Sequence, residues 1–271
     1  MLNTVATEAL AEAFRKAAAE NRAVLFPYLT AGLPDVAGSV KLFQAMSDAG
    51  ADGFEVGIPY SDPLMDGPTI QEAGERALAA GATMDTGLEV VRQVVESTGK
   101  PVLVMTYVNP VLRMGVTRFM ERIAQAGASG VIVADLPVDE ADPFLSAADA
   151  FGIGVVLFAA PTIDEARLRL VAESKPLFIY GVAELGVTGE RVDRSTHAPE
   201  LARRVRAATD IPLVMGVGIS TPAHASAAAE VADGVIVGSA IVRCVLDAAD
   251  QAAAEASVAR LVTELAAAVR R

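Results

Sequence analysis

Eight short apolar runs, spaced along almost the whole chain, set the strongest limit on how this sequence folds. They cover residues 24–30, 53–57, 102–107, 130–135, 154–159, 177–182, 213–216 and 234–237. Most lack the polar alternation of a half-exposed strand, which is the pattern of parallel strands covered on both faces. Helical stretches separate them, among them 36–49, 87–96, 116–126, 164–173 and 199–208. A long final helix is expected over 245–269, and an amphipathic segment over 8–20 precedes the first strand. Eight strands alternating with helices over ~250 residues are the signature of a (β/α)8 barrel. A doubly wound open sheet is the rival, and it usually uses fewer strands at this length. Two internal similarities favour stacked βα units: residues 51–57 resemble 232–238, and residues 100–105 resemble 211–215. No composition break marks a linker. The expectation is one domain over residues 1–271, an α/β (β/α)8 TIM barrel with an extra N-terminal helix.

Charge and composition exclude several functions. The chain of 271 residues is 52% hydrophobic and carries a formal charge of −12. It has no block of Lys or Arg, which argues against nucleic acid or an anionic membrane as partner. An anionic small molecule remains open, because a local site can defeat a net charge. The single cysteine, Cys244, forbids an internal disulfide and suits a reducing cytosol. Glu8 and Glu12 stand where a secretory signal would need apolar residues, and no apolar run approaches the ~18 residues of a membrane span. A cytoplasmic protein is expected.

The late strands carry the features of an anion site. Strand seven runs into Gly216-Val217-Gly218-Ile219-Ser220-Thr221-Pro222 and strand eight into Gly238-Ser239-Ala240-Ile241. Glycine lets backbone N–H groups approach an anion, Ser220 or Thr221 caps a helix, and Pro222 sits in its first turn. Helix N-termini then offer unpaired donors and positive partial charge. Tight βα turns alone would also explain these glycines. Two such turns on consecutive final strands, with Gly186-Val187-Thr188-Gly189 after strand six, favour a phosphate site.

Glu55 lies inside the apolar strand Gly53-Phe54-Glu55-Val56-Gly57. Burying a carboxylate costs several kcal/mol unless it is paired, hydrogen-bonded or protonated. It is either satisfied by a neighbouring strand or functional. Asp62 and Asp66 follow in a loop dense in turn formers. Singly they read as turn residues; facing Glu55 they supply paired acid/base chemistry. The four lysines are Lys16, Lys41, Lys100 and Lys175, and the last two precede prolines at strand starts, the wrong end of a barrel for Schiff-base chemistry. His197 and His224, the only histidines, lie at helix starts, so no histidine-rich metal site is expected. No Cys–His or Ser–His–Asp arrangement is visible. Carbon–carbon chemistry here needs carboxylates and an electron sink within the substrate.

The segment Phe54-Glu55-Val56-Gly57-Ile58-Pro59-Tyr60-Ser61-Asp62-Pro63-Leu64-Met65-Asp66-Gly67-Pro68-Thr69-Ile70-Gln71 closely resembles the catalytic signature of the tryptophan synthase alpha chain family. Supporting segments span nearly the whole chain, including 27–32, 105–110, 134–137, 186–189, 216–219 and 238–242. The resemblance implies a lyase that splits indole-3-glycerol phosphate into indole and glyceraldehyde 3-phosphate by a retro-aldol reaction. Glu55 would protonate indole C3 and help deprotonate the glycerol hydroxyl, and Asp66 would take or stabilise the proton on the indole nitrogen. Thr188 would orient Asp66, and Tyr180 matches a position near the catalytic acid. Gly189, Gly218, Gly238 and Ser239 match phosphate-binding positions. Tyr28, Met105, Tyr107 and Phe158 match positions lining the indole pocket, though barrel-core packing explains them equally.

The resemblance further implies an α2β2 complex with a β chain that carries pyridoxal phosphate and receives the indole. This chain would hold no cofactor itself. Pro59, Asp62 and Pro63 would lie near that partner, and loops 60–68 and 184–196 would close over substrate. Two departures stand out: Leu33 where the family usually has Asp, and Ala183-Glu184-Leu185 before Gly186. Two other functions compete with the lyase. One is a phosphate-binding barrel such as a sugar-phosphate isomerase or epimerase. The other is a non-catalytic subunit that binds the phosphorylated ligand and activates a β chain.

Overall fold

The computed structural model describes residues 4–182 and 197–271. In chain order its elements are α1 (Thr4–Ala19), β1 (Val24–Thr30), α2 (Val36–Asp48), β2 (Phe54–Gly57), α3 (Pro68–Ala79), α4 (Met84–Thr98), β3 (Val102–Thr106), α5 (Val108–Met114) and α6 (Val116–Gln125). There follow β4 (Gly130–Val133), α7 (Asp142–Ala150), β5 (Gly154–Ala159), α8 (Glu165–Glu173), β6 (Ile179–Gly181), α9 (His197–Ala208), β7 (Leu213–Met215), α10 (Pro222–Val231), β8 (Gly234–Val237), α11 (Ser239–Leu246) and α12 (Gln251–Ala268). Every strand pairs in parallel with the next, and β8 pairs with β1, closing an eight-stranded barrel. Strands β1 to β4 and β6 to β8 are buried along their whole length, as parallel strands under a helical coat must be. Phe26, Phe43, Phe54, Phe119 and Phe178 are fully buried in the surrounding core. Leu33, one of the two departures, is buried with them. The other, Ala183–Glu184–Leu185, lies outside the described residues.

The internal similarities have a physical basis at the N-terminal end of the barrel. Asp52 precedes β2, and its Oδ2 accepts the Leu25 N–H at 2.9 Å while its own N–H donates to the Leu25 carbonyl at 3.0 Å. Asp233 precedes β8 and does the same for Leu213, at 2.9 and 2.8 Å. The glycine after each is needed for space. A Cβ on Gly53 would lie 2.6 Å from the Pro101 carbonyl oxygen, and one on Gly234 would lie 2.6 Å from Val24. The two proline repeats match as well: Phe54 N–H donates to the Pro101 carbonyl and Ile179 N–H to the Pro212 carbonyl. At the same end the Lys100 ammonium donates to the carbonyls of Ser47 and Ala51, at 2.8 and 2.5 Å, far from the strand exits.

Several expected bounds need correction. The long helix over 245–269 is two helices, α11 and α12, broken at 247–250. There Asp250 takes an extended conformation and its carboxylate accepts the Ala253 N–H at 2.8 Å, an N-cap that starts a new helix. The helix expected over 87–96 begins earlier, because Thr83 and Thr86 form a reciprocal capping box. Strands six and seven are three residues each, shorter than the apolar runs that mark them. No helix among the described residues is long and apolar enough to cross a membrane.

Candidate active site

A cavity of about 910 Å3 opens at the C-terminal ends of the strands, near the upper end of the roughly 300–1,000 Å3 usual for small-molecule sites. Tyr28, Glu55, Met105, Phe158 and Tyr180 reach it from β1, β2, β3, β5 and β6. Asp66 enters from the loop after β2, and Gly218, Gly238 and Ser239 from the turns after β7 and β8. Thus the apolar strand that carries Glu55 delivers it to the same space as the glycine turns.

Glu55 is only 4% exposed, and its Oε2 has no hydrogen-bond partner. Burial away from water disfavours its charged form, and the nearby Asp66 carboxylate adds repulsion, so its pKa is pushed up to about 8. Asp66 is half-buried, and burial pushes its pKa up to about 6, while a hydrogen bond from the Tyr107 hydroxyl draws it partway back. Between those values one acid holds its proton and the other has released it, which is the pairing that opposed proton transfers need.

The loop bearing Asp66 is held by several contacts. The Asp66 N–H donates to the Pro63 carbonyl at 3.0 Å, and the Gln71 side-chain amide donates to the Asp66 carbonyl at 2.8 Å. The Met65 N–H donates to the Tyr107 hydroxyl at 3.3 Å. Tyr107 in turn packs on Tyr60, with ring centroids 5.4 Å apart, and the Tyr60 hydroxyl accepts from Asn109. Of the two readings left open for Tyr107, pocket lining and core packing, this arrangement favours packing. The residue is buried at the N-cap of α5 and is not among the cavity-lining residues, because its hydroxyl is directed at the Asp66 loop instead. Tyr28, Met105 and Phe158 do line the cavity.

Two glycines make room for the two phenols at the mouth. A Cβ on Gly57 would sit 2.2 Å from the Tyr28 hydroxyl, and one on Gly216 would sit 1.9 Å from the Tyr180 hydroxyl. Both phenols are raised above their ordinary pKa by burial first. The next cause is the Asp66 charge for Tyr28 and the Glu55 charge for Tyr180. They remain neutral hydroxyls. Tyr28 shares a 3.2 Å hydrogen bond with Thr30, and Tyr180 packs on Phe158 at 5.3 Å.

At the other side of the cavity, Gly218 has φ +78°, a left-handed conformation suited to glycine. Thr221, rather than Ser220, caps α10, accepting the His224 N–H at 3.2 Å, and Pro222 follows. Gly238 is the N-cap of α11 and provides no side-chain cap, so the first N–H groups of that helix stay available. Ser239, its first residue, is exposed at the cavity. These are donors fit for a phosphate. Thr188, Gly189 and the loop 184–196 lie outside the described residues.

Pro59, Asp62 and Pro63 are not among the lining residues. They lie on the outer part of the same loop, where Leu64 is 88% and Met65 64% exposed. Sequence reasoning assigned no site role to Asp135 or Thr69. Asp135 lines the cavity and accepts the Val108 N–H at 2.7 Å, and Thr69 lines it from the first turn of α3. Both fall in segments that carried the resemblance, and their position at strand or helix ends was the available signal. Among the described residues no cluster of three or more His, Cys, Asp or Glu side chains is placed to hold a metal ion.

Comparison with known proteins agrees with this geometry. A family model described as tryptophan synthase alpha chain matches residues 14–270. The tryptophan synthase alpha chain of Salinispora arenicola is 47% identical over 258 residues, covering 95% of this chain and 96% of that one. Its counterpart from Streptomyces avermitilis is 44% identical over 261 residues, covering 96% and 94%. A solved structure of Mycobacterium tuberculosis tryptophan synthase superposes with a TM-score of 0.87 at 42% identity, covering 97% of this chain and 98% of that one. By fold, by match and by identity across nearly its whole length, this chain belongs to the tryptophan synthase alpha chain family.

Proposed function

We propose that Glu55 and Asp66 together perform the reaction of this family, the cleavage of indole-3-glycerol phosphate into indole and glyceraldehyde 3-phosphate. The family assignment sets aside the isomerase reading, and the cost of burying an unpaired acid that does no work argues against the non-catalytic one. One observation carries the assignment of the acids: an unpaired, buried Glu55 opens on the same cavity as Asp66 and the glycine turns.

The chemistry follows from the two protonation states. At neutral pH Glu55, with a pKa of about 8, is a neutral acid and gives its proton to indole C3. Asp66, with a pKa of about 6, is ionised and accepts the proton from the indole nitrogen. The ring becomes an imine that can receive electrons. Glu55, now a carboxylate in an apolar wall, takes the proton from the hydroxyl on the carbon attached to C3. That carbon becomes the aldehyde as its bond to C3 breaks, the electron pair returns to the ring, and Asp66 gives the proton back to nitrogen. Both acids end as they began.

The phosphate is held by Gly218, Gly238, Ser239 and the N-termini of α10 and α11, which supply donors and positive partial charge. Tyr28, Met105 and Phe158 pack the indole ring, and Tyr180 presents its neutral hydroxyl beside Glu55. Exposed Leu64 and Met65, with Pro59, Asp62 and Pro63, make the face for a β chain that carries pyridoxal phosphate, in an α2β2 assembly. The whole chain acts as one barrel unit.

The test is Glu55→Gln, read by indole release. Turnover drops by about 10²–10⁴, the range for loss of a general acid/base, while binding of indolepropanol phosphate stays within a few fold. Unchanged turnover would refute the role. A tenfold rise in indole release on adding a β chain would support the partner face, and its loss in Leu64→Asp would locate it.

A further inference from the structure

Arg243 connects the two ends of the cavity from behind. It lies on α11, four residues after Ser239, and its Nη2 donates to the Thr69 hydroxyl at 2.8 Å. Its Nη1 stands 3.5 Å from Glu72 and 3.6 Å from Asp247, and Glu72 also accepts from Arg76 at 2.7 Å. Thr69 and Glu72 belong to α3, the helix that begins directly after the Asp66 loop.

The first turn of α3 packs on the core through Ile70, and among the described residues Arg243 gives it its one side-chain hydrogen bond from another element. Its N-cap is Gly67, which contributes no side-chain cap. Its own bonds run along the chain: Ile70 and Gln71 N–H to the Gly67 carbonyl, and the Gln71 side chain to the Asp66 carbonyl. These join Asp66 to the turn, so a shift of the turn moves Asp66 with it. The turn is held sideways by a guanidinium from α11, the helix whose N-terminus faces the cavity at Gly238 and Ser239.

The Arg243 side chain is 46% exposed, and ion pairs so open to water add little stability. A charged donor on a hydroxyl nevertheless has a short, directed geometry. The contact is therefore better suited to placing α3 than to holding the fold together.

We propose that Arg243 is a positioning residue: by clamping Thr69 it locks the helix that follows the Asp66 loop to the helix that grips the phosphate. Seating of the anion at α11 is then transmitted to the acid that handles the indole nitrogen. This rests on Asp66 being the proton acceptor proposed above.

The experiment uses the full chain and four variants: Arg243→Met, Arg243→Lys, Thr69→Val and the double Arg243→Met/Thr69→Val. Misplacement of a catalytic group by a fraction of an ångström costs about tenfold. Arg243→Met and Thr69→Val should therefore each lower kcat about tenfold, with KM for indole-3-glycerol phosphate changed less than about twofold. The double variant should be no worse than either single one, because both cut one link. Arg243→Lys, which keeps a cationic donor, should recover most of the loss. In Arg243→Met the acid limb of the kcat/KM profile should move down in pH, as Asp66 relaxes toward water. Normal kcat in Arg243→Met, losses that multiply in the double variant, or an effect confined to KM would each overturn the proposal. Full turnover in Asp66→Asn would instead overturn the reading of Asp66, so the two failures are separable.

Discussion

Asp52, just before β2, and Glu55, within it, stand three residues apart, and the barrel treats their carboxylates in opposite ways. At the floor, Asp52 accepts from the two terminal nitrogens of the Arg22 guanidinium at 2.6 and 2.8 Å and from the Leu25 N–H at 2.9 Å. Its neighbours there are satisfied too: Lys100 caps two carbonyls, Asp233 holds the Leu213 N–H, and Arg271 donates to the carbonyls of Ala229 and Ala232. At the mouth, Glu55 keeps an oxygen with no partner, and apolar walls raise its pKa. A carboxylate in this fold is thus structural or reactive according to whether it faces the floor of the barrel or the cavity. The floor gains stability from its acids. The mouth gives stability up for a proton held near neutral pH.

The sharpest way to break that contrast is to neutralise Glu55. The folded-state pKa of about 8 lies above the ordinary 4.5, so the folded chain binds an extra proton between those values. Its contribution to stability is fully present below pH 4.5 and is lost as pH rises through 8. At pH 7 the loss is about 3 kcal/mol, from 1.36 kcal/mol per unit. Glu55→Gln should therefore be nearly inactive yet melt higher than the parent at pH 7–8, with the difference fading toward pH 4. A variant that melts lower at pH 8 would mean that Glu55 is structurally paired after all. In the parent, kcat/KM should follow a bell with an acid limb near 6 from Asp66 and a basic limb near 8 from Glu55. A profile flat from 5 to 9 would remove the acid/base division of labour.

The same charge removal at the floor should do the reverse. Asp52→Ala leaves Arg22, whose side chain is 10% exposed, without its bidentate partner and the Leu25 N–H without an acceptor. Breaking a buried pair from one side costs about 3–5 kcal/mol, so denaturant midpoints should fall sharply. Turnover per folded molecule should stay within about twofold, the reaction being at the far end. A selective loss of kcat without loss of stability would show that the two ends are coupled rather than divided.

How much of this division could be read from the chain depends on the range of each interaction. Glu55 was legible because a carboxylate inside an apolar strand is conspicuous locally. The floor was legible only as repetition: Asp52-Gly53 and Asp233-Gly234 look alike because both pin the preceding strand and both need a residue without a Cβ. The break at 247–250 was hidden by Ala248, Ala249 and the alanine-rich start of α12, residues of high helix propensity, so only the Asp250 cap marked it. For Tyr107 the resemblance left pocket lining and core packing equally open, because a local segment does not say where a side chain points once its residue caps a helix. The Arg243–Thr69 contact joins residues 174 apart and has no local signature.

A finer test compares glycines at the two ends. A Cβ at Gly216 meets the outer end of Tyr180, with the hydroxyl at 1.9 Å, beside a cavity into which that ring can swing. A Cβ at Gly53 meets Phe26 and the Pro101 carbonyl oxygen, both at 2.6 Å, and backbone does not swing aside. Overpacking a filled interior costs about 1–3 kcal/mol, so Gly53→Ala should lower the melting midpoint by several degrees and leave KM unchanged. Gly216→Ala should keep most of its stability but push the Tyr180 ring toward the substrate, raising KM several-fold. The pair of variants would show whether crowding, like charge, reads out as stability at the floor and as binding at the mouth. If Gly216→Ala instead lost stability as Gly53→Ala does, with KM unchanged, the mouth would be as rigid as the floor, and Tyr180 would be a core residue rather than a wall of the site.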